Sequence, residues 1–127
     1  MEEIIKPVSK KLLIAELTDD KRLRMTNKSN NQIYIITHHD SPNLMREIGR
    51  LREIAFRAAG GGCGLSMDID EYDTMENAYK QLIVWNPEAE EILGGYRYIR
   101  GTDVEFDQHG HPILATSHMF NFSEKFL

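Results

Sequence analysis

The fold depends first on residues 41–59, which read SPNLMREIGRLREIAFRAA. Ser41 followed by Pro42 predicts a helix start, because a hydroxyl at the N-cap accepts amide hydrogen bonds and proline suits the first turn. Helical spacing then gives one apolar stripe, formed by Leu44, Ile48, Leu51, Ala55 and Ala58. We therefore predict an amphipathic helix from residue 42 to about residue 59.

The charged residues of this helix divide into two groups. Four lie opposite the stripe, where we expect solvent: Arg46, Arg50, Glu53 and Arg57. Arg52 instead lies beside the stripe, one turn before Phe56 on the same edge. Removing an unpaired charge from water costs several kcal/mol. We therefore predict that Arg52, beside the buried stripe, has a carboxylate partner.

Runs of β-branched and aromatic residues predict strands on both sides of the helix, over residues 33–37, 81–85 and 91–99. The last two are joined by a short connection of turn residues, which favours an antiparallel hairpin. The single apolar stripe of the helix predicts that all three lie in one sheet. The resulting fold class is α/β, or α+β by local order, with a small, mostly antiparallel sheet packed by the amphipathic helix.

The remaining segments carry weaker patterns. We expect a short helix over residues 9–17, a connector without periodicity over 19–31, a short turn or helix over 74–80 and a loop over 101–112. The glycines that follow residue 59 should end the main helix, because glycine adopts left-handed conformations.

The last nine residues predict a turn into a new helix, with Ser123 as N-cap. The sequence stops on Phe126 and Leu127, two large apolar residues that need a packing partner. We expect from this a piece of a longer protein. A short helix folding back on its own core is the alternative.

Composition excludes several classes of protein. The 127 residues suffice for one domain with one core, and the formal net charge of −5 argues against a nucleic-acid surface. The single cysteine, Cys63, excludes an intramolecular disulfide and fits a reducing compartment. No apolar run approaches the roughly 18 residues of a membrane span, so we expect a soluble protein without a transmembrane segment.

The acidic segment DIDEYD, residues 68–73, marks the candidate site when it is considered together with Arg52 and Arg97. Arg97 lies inside a predicted strand, so it also requires a carboxylate partner. We expect both arginines to approach this segment and to form an Arg/Asp network between helix and sheet. Charge clusters of this kind are common at functional sites.

Other patterns fit their chemistry less well. Residues 57–62, RAAGGG, match a pyrophosphate-loop pattern, but such a loop must lie between a strand and a helix N-terminus. The acidic segment misses the spacing of an EF-hand calcium loop. Three later histidines lack a second ligand pair at zinc spacing: His109, His111 and His118. We therefore expect no bound metal.

Three motifs together resemble the N-terminal half of the acyl-homoserine-lactone synthases. They are Arg52-x-x-x-Phe56, Asp70-x-x-Asp73 and the arginine of Gly-Gly-Tyr-Arg97. The sequence is still more similar to the ornithine- and glycine-lipid N-acyltransferases, often labelled "hemolysin-like", which share the GNAT fold. The resemblance covers roughly residues 33–120.

The resemblance implies transfer of a fatty acyl group, usually a 3-hydroxyacyl chain, to the amine of a small amino acid such as glycine or ornithine. It implies acyl carrier protein (acyl-ACP) or acyl-CoA as donor, no tightly bound cofactor, and a role in aminolipid biosynthesis. The implied location is the cytoplasm, peripheral to the inner membrane for the full-length protein. Acyl carrier protein is the expected partner, with no nucleic acid, and self-association through the apolar end is expected.

The resemblance also implies roles for individual residues. Asp70, Asp73 and Arg97 match the catalytic cluster, and Arg52 and Phe56 match the substrate-binding positions. The reaction must deprotonate an ammonium and stabilise an oxyanion. An ion-paired aspartate is a weak base, so we expect the aspartates to position the ammonium while the arginines hold the network rigid.

The resemblance divides the chain in two. Residues 1–32 would form an N-terminal helix and connector, and residues 33–127 the N-terminal part of a truncated GNAT-like acyltransferase domain. The family's thioester-carrier loop has no counterpart here, so we expect the fragment to be inactive alone. The alternative is a non-catalytic interaction or structural domain that uses the Arg/Asp network only for packing.

Overall fold

The computed structural model describes residues 2–25, 30–99 and 120–121. Within these ranges the strands form one antiparallel sheet in the order β1-β2-β3-β4-β5. The elements are α1 (Lys10–Glu16), a 3-10 turn (Asp19–Lys21), β1 (Arg22–Met25), β2 (Gln32–Ile36), α2 (Pro42–Ala58), α3 (Glu71–Thr74), β3 (Lys80–Asn86), β4 (Glu91–Tyr98) and β5 (Phe120–Asn121). The predicted fold class, a small antiparallel sheet packed by an amphipathic helix, is confirmed.

One hydrophobic core lies between α2 and a single face of the sheet. Alternate residues of β2, β3 and β4 point into it, as the two-residue period of a strand requires: Tyr34, Ile36, Ile83, Trp85 and Ile92. Leu44, Met45 and Ile48 enter it from α2. Val8 and Leu13 belong to the same cluster, so α1 and the residues before it share this core with the sheet.

The N-terminus of α2 lies where the sequence predicts, but its cap comes from elsewhere. Ser41 makes no side-chain capping bond. Glu16, at the end of α1, instead accepts hydrogen bonds from the amides of Asn43 at 3.1 Å and Leu44 at 2.8 Å. A carboxylate here satisfies free amides and is favoured by the helix dipole.

The expectation that Glu53 lies on a solvent-exposed face of α2 is wrong. Its side chain is fully buried and accepts hydrogen bonds from Arg57 Nε at 2.5 Å and from the amides of Cys63 and Gly64 at 3.0 Å each. Ala58, assigned to the buried stripe, is exposed. The helix is covered on two sides, because the chain after it folds back along its flank.

Short elements account for the other differences from the predictions. The connector over residues 19–31 contains the 3-10 turn and β1, which pairs with β2. The short turn or helix expected over 74–80 is a turn at residues 76–77, and the unpredicted helix α3 lies just before it, over 71–74. Residues 120–121 pair with β4 as a strand rather than forming a turn.

Several predictions lie outside the described residues. These are the loop over 101–112, the three later histidines, the Ser123 cap and the apolar chain end. None of the described helices has the length and hydropathy of a membrane span.

Gly95 is required by the close pairing of β3 with β4. A Cβ at this position would lie 2.1 Å from the carbonyl oxygen of Leu82 and 3.2 Å from Cα of Ile83. We expect Gly95→Ala to lower the free energy of unfolding by about 2 kcal/mol, because the backbone of β3 must move to admit the methyl group. Gly61→Ala is the matched control, because the nearest atom to its Cβ would be 3.5 Å away. Equal urea-unfolding midpoints for the two variants would contradict this assignment.

Candidate active site

The acidic segment reaches α2 because Gly49 leaves room for it. A Cβ on Gly49 would lie 2.6 Å from Cγ1 of Ile69. The amide of Asp68 donates to the carbonyl of Gly49 at 2.9 Å, and Arg52 Nη1 donates to the carbonyl of Asp68 at 3.4 Å. Both backbone polar groups of Asp68 are therefore held by the helix.

Asp70 and Asp73 are held relative to each other by the first turn of α3. Asp70 is the N-cap, and its Oδ1 accepts from the amide of Tyr72 at 3.0 Å. In return, Oδ2 of Asp73 accepts from the amide of Asp70 at 3.1 Å. This reciprocal arrangement is a capping box, which restricts both carboxylates to one geometry.

Asp73 is the centre of the network and is fully buried. Its Oδ2 also accepts from Arg52 Nη1 at 3.1 Å. Its Oδ1 accepts from Gln81 Nε2 at 2.8 Å and from Arg97 Nη1 at 3.4 Å. Each oxygen thus has two donors, which uses the acceptor capacity of the carboxylate.

Arg52 lies in the same buried network. Its Nη2 donates to Oε1 of Gln81 at 2.6 Å. Burial lowers the pKa of Arg52, and the negative charge of Asp73 opposes that shift. The predicted approach of Arg52 to a carboxylate of the acidic segment is confirmed.

Gln81 was missed by the sequence analysis, although it bridges Arg52 and Asp73 and is itself fully buried. It lies directly opposite Arg97 in the pairing of β3 with β4. The two-residue period that places Ile83 and Trp85 in the core also turns Gln81 inward. The signal that could have identified Gln81 is a polar residue at a strand position that the two-residue period turns toward the core.

Arg97 makes the second predicted contact with the acidic segment. Its Nη1 lies 2.7 Å from Oδ1 of Asp70. Its Cζ lies 5.9 Å from the ring centroid of Tyr72 and 5.6 Å from that of Tyr79, within cation–π range. Burial would lower the pKa of Arg97, but the hydrogen bond that it donates to Asp70 and the charge of Asp73 raise the pKa overall.

A small cleft of about 40 Å³ opens between these groups, lined by Arg52, Phe56, Asp68, Asp70 and Arg97. An open, mainly apolar groove of about 510 Å³ adjoins it and shares Phe56 and Asp68. Four of the five predicted site residues therefore meet in one cleft. Asp73, the fifth, lies behind it.

The glycines after α2 act as helix terminators, as predicted. Gly60, Gly62 and Gly64 have positive φ angles of 88°, 89° and 77°. Such conformations favour glycine and turn the chain back along the helix. No group of three or more His, Cys, Asp or Glu side chains among the described residues is arranged to hold a metal ion.

Comparison with known proteins gives a consistent result. Residues 51–126 match the family described as "Acetyltransferase (GNAT) domain". Over all 127 residues the chain is 84% identical to a protein of Bacteroides thetaiotaomicron and 76% identical to one of Phocaeicola vulgatus, both named "Glycine N(alpha)-acyltransferase". It spans 38% and 39% of their respective lengths. No solved structure matches the chain significantly.

Proposed function

Because this chain belongs to the GNAT acetyltransferase family, we propose that it forms the amine-binding part of an N-acyltransferase active site. In the proposed reaction a fatty acyl group, such as a 3-hydroxyacyl chain, passes from a thioester of acyl carrier protein or CoA to the amine of a small amino acid. The carbon–nitrogen bond forms, the carbon–sulfur bond breaks, and the carrier leaves as a thiol. Glycine is the preferred acceptor, in keeping with the names of the two relatives.

The cleft beside the acidic segment is the observation that supports this proposal most. A glycine zwitterion carries an ammonium and a carboxylate close together. In the cleft the carboxylates of Asp68 and Asp70 can contact the ammonium, and the guanidinium of Arg97 can contact the carboxylate. The cleft is small, with a volume of about 40 Å³, in keeping with a small amino acid as acceptor.

Asp70 and Arg97 are the residues that we assign to substrate contact. Burial would raise the pKa of Asp70, but the hydrogen bond and positive charge of Arg97 lower it overall. The carboxylate is therefore ionised at neutral pH and attracts an ammonium. Arg52 and Phe56 line the same cleft, and we assign them to substrate binding as the resemblance implies.

For Asp73 we propose a positioning role in place of the catalytic role that the resemblance implies. It is fully buried and both of its oxygens already accept two hydrogen bonds. We assign it as a positioning residue that orients Arg52 and Arg97.

The test is an acyl-transfer assay on a full-length protein. The 127 residues replace the 84% identical segment of the Bacteroides thetaiotaomicron relative, and thiol release from acyl carrier protein or CoA thioesters is followed with glycine, ornithine or no amine. We expect glycine-dependent release. Asp70→Asn should raise KM for glycine about tenfold or more, because a charge-assisted contact to the ammonium is lost.

Glu71→Gln is the matched control, because it removes a negative charge from the exposed residue next to Asp70. It should leave KM for glycine unchanged. Absence of amine-dependent thiol release with every amine would instead favour the structural alternative, in which the network serves only packing.

A further inference from the structure

The three aspartates of the acidic segment differ in how far their carboxylates are already engaged. Asp73 is buried and has two donors on each oxygen, so no acceptor site remains for a ligand. Asp70 places Oδ1 between Arg97 Nη1 at 2.7 Å and the amide of Tyr72 at 3.0 Å. A carboxylate paired in this way is well suited to hold an ammonium and poorly suited to take a proton from it.

Asp68 combines a backbone held by α2 with a carboxylate that the described residues leave without a hydrogen bond. Its amide and carbonyl are hydrogen-bonded to Gly49 and Arg52 of α2, so the Cα position is held by the helix. Its carboxylate, in contrast, has no hydrogen bond or ion pair with any residue that the structure describes. The side chain is half-buried and lines both the small cleft and the apolar groove.

The surroundings of Asp68 also distinguish it electrostatically. Burial raises the pKa of Asp68, Arg52 opposes that shift, and the carboxylates of Glu53, Asp70 and Asp73 add to it. The pKa of Asp70 shifts in the opposite direction. A general base works better as its pKa approaches the operating pH. Asp68 is therefore a stronger base than Asp70.

We propose that Asp68 is a catalytic residue that accepts the proton which the bound ammonium must lose before the amine attacks the acyl thioester. This inference rests on the proposed function. Asp70 holds the ammonium, Asp68 takes one of its protons, and the neutral amine then forms the carbon–nitrogen bond. The carbon–sulfur bond breaks, the nitrogen loses its second proton to the thiolate of the carrier, which leaves as a thiol, and Asp68 returns the first proton to solvent.

The experiment compares Asp68→Asn with the unsubstituted sequence in the full-length protein of the acyl-transfer assay. Asparagine has nearly the same shape but cannot accept the proton, so we expect kcat to fall about 100-fold at neutral pH. KM for glycine should change little. The defect should shrink as the pH rises toward the pKa of the amine, because solution then supplies neutral amine. Asp68→Glu should recover part of the lost kcat.

Two measurements separate this role from a structural one. The melting temperature should be the same in Asp68→Asn and in the control Glu71→Gln, which removes a charge from the same segment. A loss of kcat that is equal at every pH would overturn the assignment, because a base defect must depend on pH. So would a kcat within about twofold of the unsubstituted protein.

The outcomes also separate this inference from the proposed function. Glycine-dependent transfer that survives Asp68→Asn undiminished overturns the role of Asp68 and leaves the N-acyltransferase proposal intact. Absence of transfer by the unsubstituted sequence with every amine overturns both.

Discussion

Replacing Asp73 with asparagine is expected to lower the free energy of unfolding by about 4 kcal/mol, because it removes the negative charge at the centre of a buried network that Arg52 and Arg97 share. Arg52 is 6% exposed and pairs with Oδ2 of Asp73 at 3.1 Å. Each carboxylate oxygen faces two donors, so the amide group of an asparagine would meet two N–H groups in either orientation. Urea denaturation followed by circular dichroism at neutral pH measures the loss.

Asp68→Asn is the matched control for this measurement, because it makes the same chemical change in the same segment. No described residue bonds to the Asp68 carboxylate, so this variant should lose no stability. The double variant Arg52→Met, Asp73→Leu should lose less than the sum of its two single changes, since it removes both charges. Additive losses, or equal losses for Asp73→Asn and Asp68→Asn, would contradict the central place of Asp73.

Glu53→Gln is expected to lower the free energy of unfolding by about 3 kcal/mol at neutral pH, by weakening a buried pair with Arg57. Glu53 also holds the chain after α2, through the amides of Cys63 and Gly64 at 3.0 Å each. A glutamine would present an amide group to these donors. The loop after α2 should therefore loosen before the rest of the structure unfolds.

The contribution of Glu53 should depend on pH in a defined direction. Burial would raise the pKa of Glu53, but hydrogen bonds from Arg57, Cys63 and Gly64 lower it from 4.5 to about 2. A carboxyl whose pKa is lower in the folded state stabilises that state above the unfolded pKa. The stabilisation is complete above about pH 4.5 and is lost as the pH falls toward and through about 2.

Urea denaturation from neutral pH down to about pH 2 tests this window. The difference in unfolding free energy between the unsubstituted chain and Glu53→Gln should shrink steadily below about pH 4.5. Glu88→Gln, at an exposed glutamate, should show a small difference throughout. If the difference in unfolding free energy between the unsubstituted chain and Glu53→Gln stays constant with pH, the ionised carboxylate of Glu53 is not the source of the stabilisation.

Local sequence signals predicted α2 and the strands β2, β3 and β4 to within one or two residues. Proline at the helix start, the apolar stripe and the β-branched runs are all properties of adjacent or nearly adjacent residues. The strands β1 and β5, of four and two residues, carry no such signal. Strands of that length form only because a neighbouring strand offers hydrogen bonds.

Glu53 shows where the local argument failed. A helical projection assumes one buried face, and on that assumption Glu53 points to solvent. The structure covers a second face, because Gly49 admits the acidic segment and the positive φ angles of Gly60 and Gly62 turn the chain back. Glu16 as the cap of α2 is a similar case, since its partner amides lie 27 and 28 residues away.

The sequence by itself determined that Arg52 and Arg97 pair with the acidic segment. An arginine in an apolar setting requires a counter-charge, and this segment is the dense cluster of carboxylates between the two. Only the tertiary structure decided which aspartate each arginine uses and which carboxylate stays open. That choice depends on donors from α2, the N-cap of α3, β3 and β4 converging on the two oxygens of Asp73, while the hydrogen bonds that the described residues make to Asp68 all go to its backbone. Hydrogen bonds act over about 3 Å. Which donor reaches which carboxylate therefore depends on how distant segments pack together and not on residue type.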